Sequence, residues 1–377
     1  MSDLTVTPVR SRHEQRLFLT FPWTIYKDDP LWVPPLLPDR RKAIDPRRGP
    51  FFQHGEAELF IAWRDGKPVG TICAAEDNAG NADTGLKDCL WGFFECIDDY
   101  SVALALWEAV IRWAKARGLT SLYGPFNLDY EDAYGILVEG RDRPPAMLCG
   151  HTAAYYLDFV LRYGFEPARG QNIAYGLDMT RDNEHTLSLS RMAERVRSLN
   201  RFTIRTPDMR HWKDEIDPLL GLLNAGLAHL TGHIPWRRES VQALLEQFKN
   251  FADPDLVLFA EENGKMIGFF PGVANLNDVL IHANGLRYPW NYAETWLRMR
   301  RRVYSLTIKS ILVLPEYWGS GVVVMLFDEM WKRARAKGYR WMDLSLTSTD
   351  NPKTPALAER MGASIYKRYQ VYRKFFE

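Results

Sequence analysis

Residues 311–323 of the 377-residue chain read Ile-Leu-Val-Leu-Pro-Glu-Tyr-Trp-Gly-Ser-Gly-Val-Val, and they limit the fold more than any other stretch. The apolar run Ile311 to Leu314 predicts a buried strand that stops at Pro315, and the pattern Val322 to Lys337 predicts a helix. Between them Gly319 and Gly321 carry no Cβ atoms, so backbone amides can approach a ligand closely. The helix adds its free N–H groups and the positive end of its dipole. A junction of this kind suits an anion such as a phosphate, while a plain strand-to-helix turn with no ligand is the alternative.

The layout continues downstream. Met342-Asp-Leu-Ser-Leu-Thr-Ser predicts the next strand, Asn351 to Gly362 a helix ending in a glycine turn, and Ile365 to Phe376 a closing strand pair. This order resembles the cofactor-binding half of the GNAT superfamily, acyl-CoA-dependent N-acyltransferases that hold the CoA pyrophosphate in a strand–loop–helix. The family's usual pattern is Arg or Gln, two residues, Gly, one residue, Gly or Ala. Here the middle glycine of Trp318, Gly319, Ser320, Gly321, Val322 and Val323 is kept, and the first and last positions depart. The resemblance implies acyl-CoA as co-substrate, held by that turn, by Asn351 and by the backbone of Leu312, Val313 and Leu314, which would pair with pantetheine and polarise the thioester carbonyl. Where many members carry a tyrosine that protonates the departing thiolate, this chain has Ala358. Tyr366, Tyr369 and Tyr372 are the nearby hydroxyls, with Tyr366 the candidate acid, although alternation along a terminal strand would equally make them packing residues.

Charge excludes one class of function. With 48 basic and 47 acidic side chains spread without long blocks, the net charge of +1 gives no footprint for a nucleic-acid backbone. The length suits two domains, and 46% hydrophobic residues suffice for two cores. Cys73, Cys89, Cys96 and Cys149 have no Cys-x-x-Cys spacing, so reduced thiols and a cytoplasmic location, with possible contact at the inner membrane surface, are expected. The longest amphipathic run, Val102 to Arg117, is interrupted by Glu108, Arg112 and Lys115 and does not suit a membrane span. His229 and His233 have the i, i+4 spacing of paired ligands, but Gly232 lies between them and no third ligand is evident, so no metal is expected.

The chain repeats a theme. Ala57–Trp63 and Pro68–Ala75 around Asp65-Gly66 predict a hairpin, and Val257–Ala260 and Met266–Phe270 around Asn263-Gly264 repeat it. Leu90 to Ile97 predicts a strand and Tyr100 to Arg117 an amphipathic helix; Ala114-Lys-Ala-Arg-Gly-Leu matches Ala334-Arg-Ala-Lys-Gly-Tyr at the two helix ends. Two related α/β lobes follow, residues 1–180 and 181–377, each expected as a GNAT-like, mostly antiparallel sheet flanked by helices. In the first lobe the strand runs into Cys96-Ile-Asp-Asp-Tyr, where two carboxylates would repel phosphates, so CoA is assigned to the second lobe.

The first lobe carries another cluster, Asn127, Asp129, Tyr130, Glu131, Asp132 and Tyr134, between Gly124 and Gly135. Such residues can grip and deprotonate an ammonium, or can cap a helix. Asn275, Asn277 and His282 follow Pro271-Gly272 and are expected in the cleft between lobes. Glu131, Asp132 and His282 are the candidate bases, and Asn127, Tyr130, Tyr134, Asn275 and Asn277 the candidate contacts to an amine acceptor. Proline-spaced aromatics near the start, Phe21-Pro-Trp-Thr-Ile-Tyr, Leu31-Trp-Val-Pro-Pro and Pro50-Phe-Phe, must be extended; they cover the domain's own core or wall an apolar ligand channel. This layout, with Asp29 to Pro35 and His151 to Tyr156, resembles a two-lobed bacterial GNAT-like family that includes ceramide-synthase-type acyltransferases. That resemblance implies long-chain acyl transfer to an amino lipid. Ala358 and the motif departures favour a rival, a non-catalytic acyl-CoA or lipid-binding protein. Small-molecule acetylation is a further alternative, and near-neutral charge argues against aminoacyl transfer from tRNA.

Overall fold

The computed structural model describes residues 3–128, 134–145, 149–228, 236–238, 241–242, 253–299, 303–308, 311–351 and 353–376. Tyr130, Glu131, Asp132, His229 and His233 lie outside these residues. Both expected hairpins are present. Strand β2 (Gly55–Arg64) meets β3 (Lys67–Asp77) through Asp65 and Gly66 at φ 50° and 72°, and β10 (Val257–Glu262) meets β11 (Lys265–Ala274) through Asn263 and Gly264 at φ 52° and 77°. Two successive positive φ values make the type I′ turn whose twist matches antiparallel strands, and Asp-Gly and Asn-Gly adopt it at little cost.

Each hairpin nucleates a sheet. The first adds β1 (Leu4–Pro8), β4 (Asp88–Cys96), β5 (Ser121–Gly124), β7 (Glu166–Pro167) and β16 (Tyr372–Phe375), in the order β1-β2-β3-β4-β5-β16-β7. The second adds β6 (Ile136–Glu139), β8 (Asn172–Asp178), β9 (Thr203–Arg205), β12 (Ser305–Ile308), β14 (Trp341–Ser348) and β15 (Ser364–Gln370), in the order β6-β15-β8-β14-β12-β11-β10-β9, with β13 (Leu312–Val313) on β11. Pairing is antiparallel except for β4 with β5 and β12 with β14. Two mixed α/β layers with mostly antiparallel sheets are thus observed. A sequence boundary near residue 180 leaves strands of each half in the other half's sheet, since β6 and β8 join the second sheet and β16 the first.

The expected closing strand pair does not form. Gln370-Val371-Tyr372 offers no turn residue, so the chain runs on from β15, which pairs with β8 and β6, to β16, which pairs with β5 and β7. Buried Val371 lies between them.

Helices cover each sheet by their apolar stripes. Tyr100–Lys115 buries Val102, Leu106, Trp107, Val110 and Ala114, with Trp107 stacked on Phe94 at 5.0 Å between ring centroids. Val322–Ala336 buries Val322, Met325, Leu326, Met330 and Ala334. Burial of such side chains contributes roughly 1.5–3 kcal/mol each. Gly118 and Gly338, at φ 71° and 90°, follow the two helices in the left-handed conformation that ends a helix without Cβ strain. Among the described residues no helix is long and apolar enough to cross a membrane.

Candidate active site

Each parallel ladder is three residues long. Asp88, Cys89 and Leu90 face Ser121, Leu122 and Tyr123; Pro125 has no N–H to give, but Phe126 N donates to Trp91 O at 2.8 Å, so the two segments stay in contact past the proline before they part. Ser305, Leu306 and Thr307 face Trp341, Met342 and Asp343, after which β13 pairs with β11 while β14 continues along β8. A parallel pair that parts leaves groups of both strands facing a gap.

The second gap leads to the glycine turn. Pro315–Tyr317 form a short 3-10 turn, Gly319 and Gly321 have φ of 82° and 89°, and no side chain of the N-cap residue closes helix Val322–Ala336. The two glycines differ in surroundings. A Cβ on Gly319 would meet nothing within 4 Å, whereas one on Gly321 would lie 2.5 Å from Val196 Cγ2 on helix Glu184–Ser198. Gly321 is therefore needed for packing as well as conformation. Leu314 N donates to Ile267 O at 3.0 Å, and the exposed Trp318 donates from its indole Nε1 to Val313 O at 3.0 Å. Trp318 thus closes over one carbonyl of the strand expected to meet pantetheine. Asn351 Nδ2 donates to Thr354 Oγ1 at 3.0 Å, and Ala358 is buried.

At the matching turn of the first half the anion position is filled from within. Asp99 accepts from Ser101 N at 2.9 Å at the start of helix Tyr100–Lys115 and pairs with Arg64 at 2.7 Å.

The first gap opens into a cavity of about 240 Å³. Phe18, Pro22, Trp32, Pro34 and Pro35 of the N-terminal segment form one wall, Phe93, Phe94 and Glu95 a second, Pro125 and Asn127 a third, and Asn277 and Leu280 reach in from the second half. The proline-spaced aromatics are not all extended, since Pro22–Ile25 forms a helical turn and Pro50–Gln53 a 3-10 turn, each with its proline at the start where no N–H is missed; Phe51 packs in a core, while Trp32, Pro34 and Pro35 line the cavity. Phe93 is held at φ 45°, unusual for a bulky side chain, and Asn127 Oδ1 accepts from its N–H at 2.7 Å.

Glu95 and His151 both line this cavity, each held by partners behind it. Tyr156 donates its hydroxyl to Glu95 Oε2 at 2.8 Å, and Tyr26 also hydrogen-bonds Glu95. Burial pushes the Glu95 carboxyl up to about 8, against the two tyrosine hydrogen bonds, so it keeps its proton at neutral pH. His151 Nε2 lies 2.7 Å from Asp29 Oδ2, with the histidine side chain only 5% exposed. Asp29 is partly desolvated, yet Leu31 N–H and His151 hold its carboxyl below the usual range. An ionised carboxylate only accepts, so the imidazole proton sits on Nε2 and Nδ1 carries the lone pair. Nδ1 is buried with no partner among the described residues, and burial keeps His151 below the ordinary histidine range despite Asp29. Tyr369, whose hydroxyl donates to Gly150 O at 2.9 Å, and Thr152, which accepts from Leu137 N at 3.0 Å, fix the histidine's loop. A neutral imidazole oriented by a carboxylate beside an apolar cavity is the arrangement of a general base.

Glu95 also makes stability depend on pH. Its carboxyl titrates near the ordinary value of 4.5 when unfolded and is raised to about 8 when folded. Between those values the folded chain holds a proton that the unfolded chain has lost, so stability falls as pH rises, and the fall ends above about pH 8. Glu95→Gln mimics the protonated form and is expected to match the natural chain near pH 4.5 and to gain roughly 1 kcal/mol on it per pH unit up to about 8. Urea melts across that range measure the difference, and parallel slopes for the two proteins would refute it.

The remaining candidates are distributed as follows. Asn277 lines the cavity, takes its N–H to Asn275 Oδ1 at 3.1 Å and donates Nδ2 to Pro145 O at 3.0 Å, so it ties the halves together. Tyr134 is buried under the Arg169 guanidinium at 4.7 Å and does not line the cavity. Tyr366 donates to Asp343 Oδ1 at 2.9 Å, and burial raises its hydroxyl well above the ordinary value. His282, expected in the cleft, is exposed on the turn after helix Asn277–Leu280 and lines no part of the cavity. The chain there reverses sharply, directing residue 282 outward while Val279 and Ala283 are buried. Sequence reasoning noted Asp29 and His151 but gave them no role, because 122 residues separate them and no local spacing pairs them. Glu95 was hidden within an apolar strand.

Residues 227–363 match the Acetyltransferase (GNAT) family. Over 383 aligned residues the chain is 32% identical to the bacterial ceramide synthase of Caulobacter vibrioides, covering 99% of this chain and 98% of the relative. Protein YghO of Escherichia coli is 26% identical, with 97% and 93% covered. A solved tandem GNAT protein from the clavulanic acid biosynthesis pathway superposes with a TM-score of 0.57 at 13% identity, covering 99% of this chain and 98% of that one, which bears on the fold alone. With the paired sheets, the opened parallel strands and the glycine turn, the chain belongs to the GNAT superfamily of N-acyltransferases, in the two-lobed family that includes the Caulobacter vibrioides bacterial ceramide synthase.

Proposed function

We propose that the protein transfers a long acyl group from acyl-CoA to the primary amine of an amino lipid, in the cavity between its halves and on the cytoplasmic side. The observation that carries this reading is the cavity itself: prolines and aromatics wall it, and the polar groups needed for proton transfer stand at one side. In this reading residues 181–377 hold the cofactor, with its pyrophosphate at Gly319–Val323, and residues 1–180 supply most of the acceptor site.

Direct aminolysis needs a neutral amine and a polarised carbonyl. Nδ1 of His151, buried in this structure, is uncovered as the acceptor enters and takes the proton of the attacking amine, and Asp29 stabilises the imidazolium that results. The new C–N bond forms at the thioester carbon as the C–S bond breaks. Glu95, protonated at neutral pH, lines the same cavity and supplies the proton that the departing thiolate takes up.

Each methylene buried in such a channel contributes about 0.8 kcal/mol, of which chain ordering offsets a part. Activity is therefore expected to rise by orders of magnitude from acetyl-CoA to long-chain acyl-CoA with a hydrophobic amine. A panel of chain lengths assayed by thiol release tests this directly. Equal or better turnover with acetyl-CoA would return the protein to small-molecule acetylation, and binding without thiol release would favour a non-catalytic carrier.

A further inference from the structure

Helix Pro289–Met299 is amphipathic the wrong way round for a helix that serves only its own core. The residues it turns inward are small and polar, Asn291 and Thr295, both buried. Asn291 Oδ1 accepts from Tyr288 N at 3.0 Å, and Thr295 donates its hydroxyl to Asn291 O at 2.7 Å, so the inward face is satisfied locally. Outward it presents Trp290, Trp296 and Leu297, exposed by 64%, 54% and 58%, together with exposed Tyr292 and Met299. Tyr288 stacks on Trp290 at 4.6 Å.

The surroundings fix the chemistry of what could cover it. As a sequence, Arg287 to Arg302 carries five arginines, at 287, 298, 300, 301 and 302, against the single Glu294, which pairs with Arg298 at 3.0 Å; positions 300–302 lie outside the described residues, so their contribution is that of sequence charge alone. A two-fold contact with a second copy would set like charges face to face, because the same patch supplies both sides. Aromatic and aliphatic side chains within a basic segment suit instead the boundary between headgroups and acyl chains of an anionic bilayer. The position fits too. Gly285 is so close to Trp23 and to Pro35 O that a Cβ there would lie 2.5 Å from the latter, and Trp23 donates to Asn284 Oδ1 at 2.6 Å. Pro35 and Leu280 line the cavity, so the helix stands beside its wall.

We propose that helix Pro289–Met299 docks the protein on an anionic membrane surface, with the indoles of Trp290 and Trp296 inserted at headgroup depth.

The binding measurement needs neither acyl-CoA nor an amine, so its outcome is independent of the proposed reaction; thiol release serves only as a control on the variant. The full chain is sedimented with vesicles of phosphatidylglycerol and phosphatidylcholine, or of phosphatidylcholine alone. Binding to the anionic vesicles is expected to exceed that to neutral ones, to weaken with salt, and to fall about tenfold or more in the Trp290→Ser, Trp296→Ser double variant. The melting temperature, and thiol release with a water-soluble amine, are expected to stay unchanged. Absence of binding by the natural chain, or equal binding to both vesicles, would overturn the proposal. So would light scattering that shows a dimer which the double variant converts to monomer.

Discussion

Gly319→Asp is expected to lower acyl-CoA affinity about a hundredfold or more, equal to about 2.8 kcal/mol on the scale where tenfold is about 1.4 kcal/mol. Position 319 is the informative one of the two turn glycines. A side chain there meets nothing within 4 Å, so Gly319→Asp adds no clash, and Gly319→Asn, which carries the same backbone strain at φ 82° without the charge, separates that strain from repulsion of a pyrophosphate. The same change at Gly321 would force a Cβ to 2.5 Å from Val196 and confuse strain with repulsion. Calorimetric titration with a non-hydrolysable acyl-CoA analogue decides the matter. Affinity unchanged by Gly319→Asp would move the cofactor away from this turn.

Removing the imidazole of His151 is expected to reduce kcat by at least about a hundredfold while leaving acyl-CoA binding intact, the range typical for loss of a positioned base. The base works only when neutral, so activity falls on acidification through its pKa. Burial places that acid limb below the ordinary histidine range, with Asp29 acting in the opposite direction. His151→Ala should abolish the limb. Asp29→Asn, which keeps the shape but no longer stabilises an imidazolium, should lower kcat less and shift the limb further down. A pH profile of His151→Ala identical to that of the natural chain would exclude the histidine as base.

Much of the architecture was legible because its causes are local. Asp65-Gly66 and Asn263-Gly264 state their turns outright, the glycines at 319 and 321 adopt the positive φ that only their lack of a side chain makes cheap, and the two matching helix ends each carry a left-handed glycine. The active-site grouping was not legible in the same way. Asp29 and His151 meet only because the N-terminal segment folds across the opened strands β4 and β5, and nothing near either residue records that meeting. Glu95 looks like an incidental charge in Trp91-Gly-Phe-Phe-Glu-Cys until burial and two tyrosines surround it. His282 shows the converse error, since a plausible residue type after a strand was directed outward by a turn whose buried positions are Val279 and Ala283.

The crossing of β16 into the first sheet bears on how the chain is made. β16 lies between β5 and β7, so the ribosome must deliver residues 372–375 before a sheet begun at residue 4 can close. Until then β5 offers an unpaired edge and β7 has no neighbour among the described strands, and the second sheet likewise waits for β15, which lies between β6 and β8. Both sheets are thus completed only by residues 364–375. Such dependence on contacts between distant parts of the chain slows closure and leaves an edge open to other chains during synthesis. The exchange of β6, β8 and β16 also ties the two halves together, so the sheet bearing Glu95 and the sheet leading to Gly319 share strands from the same stretches of chain.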